Sequence, residues 1–322
     1  MSFDQPTNAA SSGVVLDRKL LKSLARRSDL LGLRHLAIWL AMLSGSTLLL
    51  YMSQGSLAFY PAILIQATVL TVPVASLSHE TCHGTAFKTR WLNELVYWVV
   101  SFLYVEPPTI HRYAHTRHHT YTWVRGQDAQ MTHDPPLTLR KWIEEFTSYN
   151  QFSWDLRFMV LSSFGRIDPD VLDYVPKEYV PRLKWESRLF LLGYGGVAAA
   201  IFATGALWPV IYIILPRLIG GFVWQLYVIV MHSEMKPDSH DIRDSTRSFT
   251  TNWFSRFLYA NMSYHIEHYL YPMVPFHALP KLSAALGDQL PAPDKGLFRT
   301  NARILSAVLR RSFRKHLSPE AG

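Results

Sequence analysis

The chain has 322 residues, 49% of them hydrophobic, with 32 Lys and Arg against 24 Asp and Glu for a formal net charge of +8. Its single cysteine, Cys82, excludes a disulfide framework, a cysteine-rich zinc module and a cysteine-ligated iron–sulfur cluster within these residues. The positive charge gathers at the two ends and between apolar runs, where the positive-inside rule expects it, so membrane topology accounts for it without nucleic acid.

Residues 1–15 are small and polar and are expected to be disordered. Arg18, Lys19, Lys22, Arg26 and Arg27 then interleave with leucines as a basic amphipathic segment for a membrane surface, which completes a leader at 1–32. A cleaved signal peptide is the weaker reading, because the apolar run begins only near Leu36 and no compelling cleavage site follows it.

The first predicted span covers 33–52, since about 20 residues rising ~1.5 Å each cross a hydrocarbon layer of ~30 Å. The second, 57–77, brings the chain back and ends at SHETCHG, so His79 and His83 stand at the cytoplasmic mouth of a span at i, i+4. That spacing lets one helix offer two nitrogens to one metal. His79-Glu80-Thr81-Cys82-His83 also satisfies H-E-x-x-H, which keeps a membrane zinc peptidase with Glu80 as general base as a rival.

The apolar run from Leu92 to Val105 ends in Glu106-Pro107-Pro108 and falls below the roughly 17 residues a span needs. It is read as an interfacial or re-entrant helix, because a crossing would separate SHETCHG from the histidines that follow. In HRYAHTRHH, His115, His118 and His119 lie at i, i+3 and i+4 on one helical face, and His111 precedes them. A polar stretch to residue 187 holds Asp128, His133-Asp134-Pro135-Pro136 and the aromatics Trp142, Phe146, Phe152 and Trp154. These aromatics are read as interfacial anchors rather than the lining of a groove.

Two further spans at 189–207 and 208–231 form a second hairpin and return His232 to the level of His79 and His83. Arg217 lies inside the last run beside Pro216, where the helix is open to a break, and is given no role. His265 and His268, at i, i+3, form a third pair, and Arg299, Arg303, Arg310, Arg311, Arg314 and Lys315 mark a basic tail at 283–322.

The expected architecture is an all-α integral membrane protein with four transmembrane helices in two hairpins, an interfacial helix and a cytoplasmic cap carrying the histidines. The membrane domain would run over 33–282, with cytoplasmic regions at 78–188 and 232–282 and both termini on the cytoplasmic side.

Pooled, His79, His83, His115, His118, His119, His232, His265 and His268 are more nitrogens than one ion uses. Imidazole-rich ligation without thiolate suits iron, so a dinuclear iron site is the economical inference. Glu80, Glu267 and Asp134 are candidates to orient the rings from behind. A metal transporter is a further rival, although it would place ligands deep inside several spans.

These residues resemble the membrane fatty acid desaturase superfamily, which includes hydroxylases and ketolases. Its boxes H-x-x-x-H, H-x-x-H-H and H-x-x-H-H look like SHETCHG, HTRHH and YHIEHY here, in the same order and layout, with Y-P-M-V-P after the third. The chain departs at Tyr269, which stands where the third box ordinarily ends in a second histidine. Three readings stay open there: an open metal position, weak ligation by Tyr269, and compensation by His111.

The resemblance implies two Fe ions, O2 as co-substrate and attack on an unactivated C–H bond, ending in a double bond or a hydroxyl. It implies an acyl-lipid, acyl-CoA or acyl-carrier substrate, or alternatively a smaller specialised metabolite. The electron donor is expected to be separate, of ferredoxin or cytochrome b5 type with its reductase. The location implied is multi-pass in the membrane, the inner membrane if the source is bacterial.

Overall fold

The computed structural model describes residues 12–317, so the first part of the polar leader (1–11) and residues 318–322 lie outside the described residues. The described chain is helical, with one isolated bridge between Phe249 and Asp294. A short α1 (Arg18–Leu24) precedes the first long helix, α2 (Asp29–Met52), whose N-cap Ser28 accepts from the Leu31 N–H. Helix α3 (Phe59–Cys82) returns beside it and is the most buried of the long helices.

Helix α4 (Arg90–Tyr104) packs on α3 through Val96 and Val100, with Asn93 and Tyr97 also buried, while Trp91, Leu95 and Val99 face outward. With 15 residues it is too short to cross, as predicted for an interfacial helix. It stops at Val105, a non-glycine residue with φ of 73°. Pro107 and Pro108 follow at once and cannot continue the ladder.

Arg217 answers there: its guanidinium donates to the Leu103 and Tyr104 carbonyls, each at 3.2 Å, and lies over the Tyr104 ring. A cation on the orphan carbonyls of a helix C-terminus satisfies both partners and holds the strained cap.

Helix α5 (Pro108–Thr120) carries the second histidine group. Next come α6 (Leu139–Phe146), α7 (Tyr149–Ser163) and the single turn α8 (Pro169–Leu172). The aromatics of this region divide. Trp142 stacks on Phe146, and both pack into the central core, with Phe146 also against Phe222, whereas Phe152 and Trp154 are exposed.

The third long helix, α9 (Val180–Thr204), begins nine residues before the expected 189 and closes at Gly205 with φ of 66°. Its first half is tied to α5, where Glu186 accepts from the Thr109 N–H and hydroxyl at 2.7 and 2.8 Å. The fourth span opens with a π-helical turn, Val210–Ile214, and runs on without interruption as α10 (Leu215–His232). The break left open at Pro216 does not occur. Pro216 lies inside that continuous run directly after the π-helical turn, and the Tyr212 carbonyl, four residues before it, accepts from Gln66 of α3 at 3.0 Å.

The spans seen, Asp29–Met52, Phe59–Cys82, Lys177–Thr204 and Val210–His232, are all long and apolar enough to cross a membrane. Close packing of α3 on α10 requires Gly220, where an added Cβ would meet Thr71 and come within 2.6 Å of the Ala67 carbonyl. The single turn α11 (Ile242–Ser245), then α12 (Trp253–Leu258), α13 (His265–Leu270), α14 (Leu279–Leu286) and α15 (Leu297–Leu317) close the box-bearing end.

Neither α1 nor α15 is a loose appendage. Leu24 of α1 and Leu297, Ile304 and Val308 of α15 are buried in the same core as Tyr269 and Leu270. Arg311 clamps α15 by donating to the Glu234 carboxylate and, at 2.8 Å, to the Leu137 carbonyl.

Candidate metal centre

Four elements deliver histidines to one end of the bundle. The last turn of α3 presents His79, with His83 at its C-cap, and the last turn of α10 presents His232. Helix α5 contributes His115, His118 and His119, and the short α13 contributes His265 and His268. Helical spacing puts each pair on one face; the packing of α3 with α5 and α10 turns those faces toward each other.

The side chains sort into two sets. In the first, His79, His83, His115, His119 and His268 bring their ligand atoms within 4.8 Å of one another. The His115 Nε2 lies 3.1 Å from the Nε2 of both His83 and His119. Neighbouring donors around one ion bound at about 2.0–2.1 Å stand about 3 Å apart.

Both ring nitrogens of His79 and of His268 are buried without a hydrogen-bond partner among the described residues, an arrangement that costs about 1–3 kcal/mol per group unless something else takes the lone pair. Burial, reinforced by the neighbouring rings, holds His83, His115 and His119 well below the usual histidine range, and burial pushes His268 down to about 3. The rings are therefore neutral at pH 7, the protonation state that binds a metal. This set fits a cation.

The second set is His118, His232 and His265 around the phenol of Tyr269. Ring centroids lie 5.1 Å apart for His118 and His232 and 5.3 Å for His232 and His265. Tyr269 is buried, stacks on His119 at 4.2 Å and packs 4.6 Å from His265. Its hydroxyl meets His118 Nε2 in a short hydrogen bond and lies 3.4 Å from His232 Nε2.

A fatty acid desaturase family model matches residues 54–301, more than three quarters of the chain and all the histidines of both sets. The chain belongs to the fatty acid desaturase family. Among curated relatives, a Δ8-fatty-acid desaturase of Euglena gracilis is 26% identical over 246 residues, 64% of this chain and 56% of the relative. A Δ5 fatty acid desaturase of Caenorhabditis elegans is 23% identical, over 63% of this chain and 52% of its own length. A sphingolipid Δ4-desaturase/C4-monooxygenase of Homo sapiens is 27% identical, over 69% of this chain and 64% of its own. The chain thus spans between about half and two thirds of the length of these relatives. With four helices fit to cross a bilayer, this desaturase-family chain is a membrane protein.

The family's boxes do not map one to one onto the two sets. The second box divides, His115 and His119 facing one set and His118 the other, and the third divides His268 from His265. Divided boxes follow from helix geometry, since successive residues on a helix diverge by about 100°.

His111 stays outside both sets. Its Nδ1 meets the Tyr97 hydroxyl at 2.9 Å, and its ring stacks on His115 at 5.7 Å. Its imidazole neighbour, His115, belongs to the five-histidine set rather than to Tyr269's.

Of the three carboxylates expected behind the rings, two have other partners and the third is exposed. Glu80 accepts from the Phe276 N–H at 3.1 Å, Glu267 accepts from the Ser248 hydroxyl at 2.5 Å, and Asp134 is exposed. The supporting acceptors are Asp128 on His118 Nδ1, Gln130 on His115 Nδ1 at 2.8 Å, and the Ser245 carbonyl on His232 Nδ1 at 2.9 Å. Asp128 and Gln130 carry one local signal, acceptor side chains about ten to fifteen residues beyond the box they serve. Ser245 acts through its backbone and carries none.

Proposed function

We propose that this chain is a diiron oxidoreductase that desaturates an acyl chain, using O2 and two electrons from a separate protein. The observation that carries the proposal is the gathering of eight imidazoles, seven of them buried and His79 partly so, from four separate helices into two adjacent sets at one end of a four-span bundle. Iron held there would supply oxygen activation strong enough to take hydrogen from an unactivated C–H bond.

The ligands proposed for one ion are His79, His83, His115, His119 and His268, and for the other His118, His232 and His265. The chain's own residues prepare the site for that chemistry. Burial keeps the His83, His115, His119 and His268 rings neutral, and acceptors on Nδ1 turn the Nε2 atoms of His115, His118 and His232 into the site. The surrounding core, including Tyr259, Leu258, Ile266 and Val72, keeps the site dry.

The relatives' names favour a lipid acyl chain as substrate. Hydroxylation on the same scaffold is the second reading, favoured by the human relative whose name carries both activities. A zinc peptidase is poorly supported, because His79 and His83 converge with three more imidazoles and Glu80 is engaged by Phe276. We place the box-bearing end in the cytoplasm, since α1, α15 and their many cations lie at that end and positive charge is retained on that side.

The test combines metal analysis with lipid profiling. Two irons per chain, and a product with a new double bond in cells that make the protein, are expected. One zinc, or an unchanged lipid and metabolite profile, would overturn the reading.

A further inference from the structure

Tyr269 sits among three imidazoles, of which His265 has both ring nitrogens buried without a hydrogen-bond partner among the described residues. The His118 Nδ1 faces the Asp128 carboxylate, and the His232 Nδ1 faces the Ser245 carbonyl at 2.9 Å. The Asp128 carboxylate and the Ser245 carbonyl accept, with the Thr246 hydroxyl also 3.3 Å from His232 Nδ1, so each Nδ1 is engaged away from the phenol. Both Nε2 atoms point at the Tyr269 oxygen.

The phenol oxygen and the Nε2 atoms of His118 and His232 thus meet in a buried place, with the His265 ring 4.6 Å from the phenol ring. A cation bound there would take these donors together and give the His265 nitrogens a partner.

We propose that Tyr269 is an oxygen ligand of the second metal position, completing it with His118, His232 and His265. The proposal rests on the diiron reading above. When ferric iron binds, the phenol O–H bond breaks, its proton passes to the buffer, and an oxygen electron pair forms the bond to iron. No redox change is involved in that step. The ring is already placed for it, buried and stacked on His119 at 4.2 Å, so ligation needs no rearrangement of α13. A hard, anionic oxygen in place of a fourth imidazole makes the two metal positions chemically unlike, and the second favours the ferric state.

The experiment uses the full chain in detergent or lipid, stripped with chelator, reloaded with ferrous salt and oxidised with ferricyanide. The expected wild-type result is two irons and a visible absorption band from phenolate-to-iron(III) charge transfer, with tyrosine ring modes enhanced in resonance Raman on that band. Tyr269→Phe should lose the band and hold iron more weakly at the second position, while retaining the iron of the five-histidine set. Tyr269→His should hold both irons without the band.

Melting temperatures within a few degrees of wild type show that both variants are folded. Two irons and no such band in the wild type would overturn the proposal while leaving the diiron reading intact. Persistence of the band in Tyr269→Phe would also overturn it. A wild-type chain that binds no iron would instead sink the diiron reading and this proposal with it.

Discussion

His118 Nδ1 lies 2.8 Å from each carboxylate oxygen of Asp128, and the same carboxylate accepts from the Trp123 and Gln130 N–H groups at 2.8 Å. One side chain therefore ties the second box to the loop that follows it. Burial alone would raise the Asp128 carboxyl, but the His118 ring and the two backbone donors hold it below the ordinary carboxylate range.

Asp128→Asn keeps the size and removes the charge. The His118 ring then loses its anionic acceptor, and iron affinity at the second position should fall by about 10–100-fold. Chelator competition followed by metal analysis checks this. Unchanged retention at both positions would show that Asp128 does not orient a ligand.

The two sets predict separable losses. His79→Ala or His268→Ala should remove the iron of the five-histidine set, and His265→Ala that of the set around Tyr269, each lowering the count from two to one. All three variants should lose turnover, because the chemistry proposed needs both ions. A variant that retains both irons would place its histidine outside the ligand set.

Gly220 tests the scaffold rather than the ligands. Gly220→Ala drives a methyl group into Thr71 and the Ala67 carbonyl, and overpacking of this kind costs about 1–3 kcal/mol. Because α10 also carries His232 at its end, the variant should show a lower melting temperature together with weaker iron retention at the second position. An unchanged melting temperature would show that the α3–α10 contact yields easily.

Acid should destabilise the metal-free protein. His268 and His111 are held at about 3 by burial, against about 6.5 in an unfolded chain. Between those values the unfolded chain binds the extra protons. Stability is therefore at its full value above about pH 6.5 and falls by about 1.4 kcal/mol per pH unit for each such ring as pH drops toward 3. Melting temperatures of the chelated protein measured down that range should fall, and a flat profile would show that these rings are open to water.

Much of the design can be read in one dimension. Four runs of about 20 apolar residues are spans because nothing else hides that much hydrocarbon surface, and the i, i+3 and i+4 histidines share helical faces because 3.6 residues make a turn. Spacing alone also shows that residues 90–105 are too few to cross. The edges were harder to read. Helix α9 begins at Val180 because Glu186, a charge that hydropathy places outside a span, is satisfied by Thr109 of α5.

What the amino-acid sequence determined by itself was the helical class, the number of spans, the family and the eight imidazoles. Only the tertiary structure divided those imidazoles into sets of five and three, set Tyr269 between His118 and His232, moved His111 aside and chose Asp128 over Asp134 behind the ring. It also found Arg217 its partners in the carbonyls that end α4. The physical reason is the same in each case. Helical periodicity states which side chains leave a helix together, but whether two such faces meet, and which acceptor lies behind a ring, depends on the packing of segments more than a hundred residues apart.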